Sequence, residues 1–433
     1  MYHAVRSNHE TPVLGVCGDA DAQAGFDGIG GTETNLLPAI RLIVLIFSVG
    51  PLVYYLLCFY CVVDYFRAHR KTPLRRDFAP PISILKPVRG VDREAYENFA
   101  SYCRLDYPEY ELVFAVAEAD DPVLPVIEKL QRDFPERKIR LVKDIARKGA
   151  NNKVNNLCAL VEAARYDHLV MVDSDIRVDP DYLREVAAPF ADPAVGAVTT
   201  FPRCIPGGNL VADLDAIGLS ADSIPSALVA RKLEGKVQFA FGWTMATAKK
   251  HLAEIGGWEA MANHHSDDFE LGNRIAKHGY RVELMRKPVW MVFARETWGE
   301  YLRHELRWSI GLHNVRPAGY VGMIFTHGLP WAVLAAIVAP SGAAAAAYVC
   351  GYLVLRLGVT WTAGAWGLGD RVVPRKMWVV PLRDTVSFLV WIAGFFTDRI
   401  TWRGIEYHVR RKLLLPVQPF LSGLPLGDEK HQK

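Results

Sequence analysis

His168-Leu169-Val170-Met171-Val172-Asp173-Ser174-Asp175 is an apolar run of strand length that ends abruptly in two carboxylates separated by one serine. Two residues apart on extended chain, Asp173 and Asp175 point to the same side. Such a pair suits a hard divalent cation, Mg²⁺ or Mn²⁺, which takes oxygen ligands and keeps substrate phosphates in its coordination shell. That chemistry points to an enzyme acting on a sugar nucleotide. The same spacing occurs at Asp19/Asp21, Asp179/Asp181 and Asp213/Asp215, but none of these follows a comparable apolar strand. Carboxylates so placed are common in solvated turns.

Outward from this strand, further apolar runs lie at 82–85, 112–117, 139–142 and 195–200, with helical patterns at 93–104, 124–134 and 152–164. The alternation predicts an α/β fold with a mainly parallel sheet flanked by helices. Ligands of such sheets bind beyond the carboxyl ends of the strands. Polar clusters stand at those ends. Lys86-Pro87-Val88-Arg89-Gly90-Val91-Asp92 follows the first run, Glu118, Asp120 and Asp121 the second, and Lys148-Gly149-Ala150-Asn151-Asn152-Lys153 the third. Phosphates favour cations and oriented N–H groups at a helix start, and the third cluster offers both.

The chain has 433 residues, 51% of them hydrophobic, and the apolar excess is concentrated at its two ends. Residues 36–65 form a run interrupted chiefly by Arg41, and about 20 residues suffice to cross a bilayer core. Its length and the polar leader before it argue against a cleaved signal. Apolar segments return near 319–338, 342–366 and 377–396. The last carries Arg383-Asp384 and keeps only about a dozen clean apolar residues, so a re-entrant or interfacial element is expected there. The expected organisation is a disordered segment 1–35, an N-terminal transmembrane helix 36–66, a catalytic domain 67–317, a C-terminal membrane region 318–398 and a basic tail 399–433. Arg67, Arg70, Lys71, Arg75 and Arg76 beside the first span predict a multi-pass protein with its catalytic domain in the cytoplasm. Seven scattered cysteines give no disulfide framework. Cys58 and Cys61 read as small apolar residues of a membrane helix. A net charge of +3 without a basic patch interleaved with aromatics gives no sign of nucleic acid as a partner. No obligatory protein partner is implied.

Two constellations lie downstream. His264-His265-Ser266-Asp267-Asp268-Phe269-Glu270 opens a helical pattern in which Ser266 is placed to cap, and one carboxylate of it could act as general base toward an incoming hydroxyl. Thr297-Trp298-Gly299-Glu300-Tyr301-Leu302-Arg303-His304-Glu305-Leu306-Arg307-Trp308 reads as an amphipathic helix with Arg303/Arg307 and His304/Trp308 as neighbouring stripes. It suits an interfacial anchor, or a site in which Arg307 neutralises a departing diphosphate and Trp308 lines an acceptor pocket.

Taken in order, 86–92, Leu105-Asp-Tyr-Pro-Glu-Tyr-Glu111, Asn152-Lys-Val-Asn-Asn-Leu157, Asp173-Ser-Asp-Ile-Arg-Val178, Asp267-Asp268 and Arg307-Trp308 resemble the ceramide glucosyltransferases. The resemblance covers residues 80–315 and implies a GT-A fold with membrane helices before and after it. It also implies an inverting mechanism, a UDP-sugar donor such as UDP-glucose, and a membrane lipid acceptor, ceramide. By position, Lys86, Pro87, Asp92, Glu118, Asp120, Lys153, Asn155 and Asp173 fall at the donor, and Asp173 with Asp175 at a Mg²⁺ or Mn²⁺. Asp268 falls at the catalytic base with Asp267 beside it. Arg307 and Trp308 end a motif usually written Gln/Arg-x-x-Arg-Trp, and His304 departs from it. A bacterial relative that moves N-acetylglucosamine to hopanoid lipids is also similar, including the Arg-His-Glu-Leu-Arg-Trp stretch. Asp175 stands where the animal enzymes have glycine. A processive polysaccharide synthase and a non-catalytic nucleotide-sugar binder remain the competing readings.

Overall fold

The computed structural model describes residues 36–71 and 77–418. The segment expected to be disordered, the basic residues Arg75 and Arg76, and the end of the tail lie outside the described residues. By internal contacts the chain divides after Ile43. Of the first unit, residues 36–43 are described, as the opening turns of a helix. The sheets, the packing and the site described below belong to the second unit.

Its centre is a seven-stranded sheet. The strands in chain order are β1 (Ile82–Val88), β2 (Tyr110–Val116), β3 (Ile139–Val142), β4 (His168–Met171), β5 (Ile176–Arg177), β6 (Val195–Thr199), β7 (Pro202–Ile205), β8 (Met245–Ala248), β9 (Arg281–Leu284) and β10 (Val289–Val292). Across the large sheet the order is β3-β2-β1-β4-β8-β6-β9, while β5-β10-β7 form a smaller one. Within the large sheet only β8 runs antiparallel to its neighbours, β4 and β6, and in the smaller one β5 and β10 pair antiparallel. The mainly parallel sheet flanked by helices, expected of a GT-A domain, is thus observed. β1 and β2 are buried at every position, as strands covered on both faces must be. Ile84, Leu85, Val113, Phe114, Leu169 and Met171 are fully enclosed, and burying each side chain contributes roughly 1.5–3 kcal/mol.

Helices Ala95–Cys103, Leu124–Asp133 and Asn152–Ala163 connect β1 to β4 through β2 and β3. β1 is longer than its apolar run suggested. Lys86 and Pro87 lie inside the strand, and the turn that follows begins after Val88.

Among the described residues two helices are long and apolar enough to cross a membrane, Leu37–Arg70 and Gly342–Leu368. The pair Pro317–Phe325 and Gly328–Val338, bent by 42°, passes the same test only when taken together, as a broken span or a re-entrant loop. Helix Val380–Ala393, with 14 residues, is too short to pass alone. Cys58 and Cys61 are buried free thiols on helix Val49–Lys71.

The charges of Arg383-Asp384 have partners. Arg356 on Gly342–Trp361 holds Asp384 and Asp222, Tyr352 donates to Asp384 (2.7 Å), and Arg383 holds Asp222 (3.2 Å) and Glu305 (2.7 Å). Asp222 stands in a π-turn, 219–223, and Gly218 beside it leaves room for the Arg383 guanidinium. This chain of charges joins both membrane-side helices to helix Trp298–Val315, where Glu305 resides. Removing one partner of such a buried pair costs about 3–5 kcal/mol.

Residues 399–416, within the stretch read as a basic tail, form a three-stranded antiparallel meander: β11 (Arg399–Trp402), β12 (Ile405–Arg410) and β13 (Leu413–Pro416). It returns to the catalytic block. Ile400, Tyr407, Val409 and Leu414 close a small core with Ala150 and Ile310.

Candidate active site

The site is organised around one lysine. Lys153 is the second residue of helix Asn152–Ala163, whose start is capped by Asn151 accepting from the Val154 N–H (3.2 Å). Its Nζ lies 2.7 Å from Asp173 Oδ1 and 3.3 Å from Asp267 Oδ2. Burial alone would lower the Lys153 pKa, but Asp173, Asp267 and Asp268 outweigh it and hold the ammonium above its ordinary value. The strand-end acids and the acids opening helix Asp267–Lys277, far apart in sequence, thereby share one cation.

Gly242 makes this convergence possible. Its carbonyl accepts from Asp173 N–H (3.2 Å), and its own N–H donates to Asp268 Oδ2 (3.2 Å). A Cβ there would overlap Asp173 Oδ2 and approach Lys153 Nζ to 3.1 Å. Only glycine fits between these groups. The second Asp268 oxygen accepts from Phe269 N–H (2.7 Å). Burial, and then the charge of Asp267, pushes the Asp268 carboxyl up to about 6.

Asp175 is pushed up to about 7, by burial first and then by Asp173 and Asp92. Its Oδ1 is buried without a hydrogen-bond partner. A buried, unpartnered carboxylate oxygen costs free energy unless something compensates it. With Asp173 alongside, the donor set is hard oxygen, which fits Mg²⁺ or Mn²⁺. Asp92 receives a hydrogen bond from Ser174, which fixes it against the same turn.

These groups line a cavity of about 1220 Å³. Of the residues that the resemblance places at donor, metal, base and acceptor, all are on its wall except Lys86 and Asp120. Lys86 is fully buried inside β1, where it donates to the Asp173 carbonyl (2.9 Å) and lies 4.1 Å over the Tyr102 ring. It supports the acid turn from beneath and lies off the cavity wall, unlike most of the residues expected at the donor. Burial, opposed by Asp175, Asp173 and Asp92, brings its ammonium down to about 7. Asp120 is exposed outside the cavity, and its neighbour Asp121 instead binds the Gly90 and Val123 N–H groups (2.8 and 2.9 Å). Asn155 reaches the cavity but is occupied with the loop before it, accepting from Lys148 and Gly149 N–H (2.9 Å each). Pro87 lies on the wall, and Glu118 pairs with Arg89 (3.0 Å).

Helix Trp298–Val315 begins with a Thr297/Glu300 capping box and carries His304, Arg307 and Trp308 into the cavity. His304 Nδ1 meets Asp215 Oδ2 at 3.2 Å, and Glu296 joins them so that one ligand atom from each lies within 4.8 Å of the others. Burial would lower His304, but Asp215 outweighs it, and burial followed by Asp215 pushes Glu296 up to about 7. Sequence reasoning missed this second polar pole. Asp215 had been noticed only as half of an Asp-x-Asp pair, and Glu296 carries no motif. Trp308 packs edge-on against His304 (5.0 Å).

Ser266 occupies the N-cap position of Asp267–Lys277, but its hydroxyl does not cap. It pairs with His265 Nδ1 (3.0 Å) instead. His264 and His265 attach the C-terminal meander, His264 through a bridge to Leu413 and His265 N–H through the Lys412 carbonyl (2.9 Å). The meander in turn brings Trp402, Arg403 and Tyr407 to the cavity wall, residues with no place in the motifs read from the sequence.

A family model described as glycosyl transferase family 21 matches residues 43–414. Ceramide glucosyltransferase 1 of Caenorhabditis elegans is 25% identical over 262 residues, 60% of this chain and 55% of that protein. A poly-beta-1,6-N-acetyl-D-glucosamine synthase of Staphylococcus aureus is 21% identical over 267 residues, covering 61% and 63%. The chain spans about half the length of the ceramide glucosyltransferases of C. elegans that it matches. A solved mannosyltransferase from Pyrobaculum calidifontis, in complex with GDP-Man and Mn²⁺, aligns over 83% of this chain and 99% of its own, with a TM-score of 0.49 and 18% identity.

Proposed function

The chain belongs to glycosyl transferase family 21, and on that premise we propose that it transfers a hexose from a UDP-sugar to a membrane-lipid hydroxyl with inversion. Glucose and ceramide are the preferred pair, and the reaction is assigned to the cytoplasmic face. One observation carries the reading: Asp173, Lys153 and Asp268 share a single cavity with Tyr320, Met323, Val390 and Trp391 from the helices beyond the catalytic block. A polar donor end and an apolar acceptor end are what such a transfer needs.

In this reading Asp268 takes the proton of the lipid hydroxyl, its raised pKa suiting a base that works near neutral pH. The oxygen attacks the anomeric carbon as the bond to the diphosphate breaks on the opposite face, which gives a β-linked product. Asp173 and Asp175 would hold Mg²⁺ or Mn²⁺, which supplies positive charge to the diphosphate when bound. Arg307 faces the same cavity and stabilises charge on the leaving group. Lys153 keeps Asp173 and Asp267 in register, so that donor and base are fixed by one side chain. His304, with Asp215 and Glu296, offers hydrogen bonds to the polar part of the lipid.

The test is lipid-extract mass spectrometry of a glycolipid-free host expressing the chain and supplied with ceramide or hopanoid. A new hexosylceramide supports the preferred pair. A hexosaminyl hopanoid replaces it with the alternative, to which His304 is the sequence pointer. Released polysaccharide, or no product with either lipid, refutes lipid transfer.

A further inference from the structure

The tip of the β11–β12 hairpin is a two-residue turn, Arg403-Gly404, with both residues at positive φ, 49° and 80°. A long side chain in the left-handed region is uncommon and costs free energy that glycine would not. Arg403 nevertheless stands there, on the cavity wall. Its carbonyl accepts from Arg89 Nη1 (3.0 Å), and its own Nη1 donates to the Arg89 carbonyl (3.3 Å). The same Nη1 makes a long ion pair with Asp92 (3.8 Å), and the guanidinium stays half exposed.

A second cation lines the same cavity. Arg307 comes from the opposite side of the sequence, its guanidinium 5.6 Å from the Trp402 ring, immediately before Arg403. Burial pushes Arg307 down to about 10, with the charge of Arg403 the next cause and Asp173, Asp268 and Asp267 opposing both. Two guanidinium groups on one cavity wall can each offer an anionic phosphate charge-assisted hydrogen bonds. The placement is firm. The meander is attached by Lys412 to Glu270 (3.2 Å), by Leu414 N–H to the Asn263 carbonyl (2.8 Å), by Tyr407 OH to the Ala150 carbonyl (3.3 Å) and by its own small core.

We propose that Arg403, carried in by the C-terminal meander, binds the diphosphate of the nucleotide together with Arg307. This rests on the nucleotide-sugar reading above and adds to the donor site a residue from beyond the membrane helices. The ligand class is a nucleoside diphosphate, with the outer phosphate, the one bonded to the sugar in the donor, as the group contacted.

The experiment is calorimetric titration of the full-length reconstituted protein with UDP and, separately, with UMP. Arg403→Gly is the safest variant, because glycine favours the backbone angles found at this position. It is expected to weaken UDP at least tenfold, the loss of one charge-assisted contact at about 1.4 kcal/mol per decade, while UMP affinity changes less than twofold. Arg403→Lys, which keeps the charge, is expected to recover part of the loss. Equal weakening of UDP and UMP would show a structural role only, and unchanged UDP affinity would remove Arg403 from the site. Either result overturns the inference. If the wild-type protein binds neither nucleotide, the donor reading itself fails, an outcome distinct from both.

Discussion

Replacing Lys153 by methionine removes the charge shared by three carboxylates while keeping most of the side-chain volume. Lys153 Nζ stands 2.7 Å from Asp173 and 3.3 Å from Asp267, and its field also restrains the rise of the Asp268 pKa. A nearby opposite charge typically lowers a carboxyl pKa by roughly 1–3 units. The Asp268 carboxyl, held at about 6, is therefore expected to rise to roughly 8 in Lys153→Met. A general base works only when unprotonated, so kcat/KM increases as pH rises through its pKa. Wild-type activity should climb through about pH 6 and level off. The variant should climb near pH 8 and run at roughly a tenth of its own plateau at pH 7. Initial rates of UDP release from reconstituted protein, measured across both limbs with a saturating lipid acceptor, decide the matter. A variant whose limb stays near 6 while only the plateau falls would refute the electrostatic coupling. Asp268→Asn is the control for the base itself, and turnover by that variant would refute the role of Asp268.

Gly242→Ala should displace Asp173 and the Asp268 contact together, and misplacement by about 1 Å at a reacting centre can cost about 10²-fold in rate. Circular dichroism should be unchanged, and near-normal turnover would show that the close approach is dispensable. Chelation should abolish activity, Mg²⁺ or Mn²⁺ should restore it, and Asp173→Ala should make UDP affinity insensitive to the metal in calorimetry. Arg356→Met leaves Asp384 and Asp222 without their shared cation, for which about 3–5 kcal/mol of stability is the expected loss. The thermal midpoint in detergent should fall, and Arg356→Met with Asp384→Asn should recover much of it. Equal losses in the single and double variants would show that the pair is not coupled.

Some of this was legible because it is local. The run 168–172 ending in acids is a strand and its carboxyl end in any parallel sheet, and β4 with Asp173 lies there. The alternation of apolar strands and helices between 82 and 200 gave the sheet for the same reason. The burial of Lys86 was not legible because charge marks a residue as exposed unless its partners are known, and its partners are a backbone carbonyl and the Tyr102 ring. Gly242 and Glu296 stand in no motif; their importance comes from neighbours remote in sequence. The meander had a local signal that the density of basic residues concealed. Ile400, Trp402, Ile405, Tyr407 and Val409 alternate around Arg403-Gly404, the pattern of a tight hairpin.

Between the two walls of the cavity the ribosome makes the membrane segments. The acids around Lys153 are complete early in synthesis, whereas Trp402 and Arg403 emerge only after the helices between Gly328 and Ala393. A chain halted before those helices settle has an open-sided cavity, without the meander that closes it. Completion of the cavity thus waits on the apolar helices by order of manufacture, and a fragment cut after Pro317 would lack Trp402, Arg403 and Tyr407 from its wall.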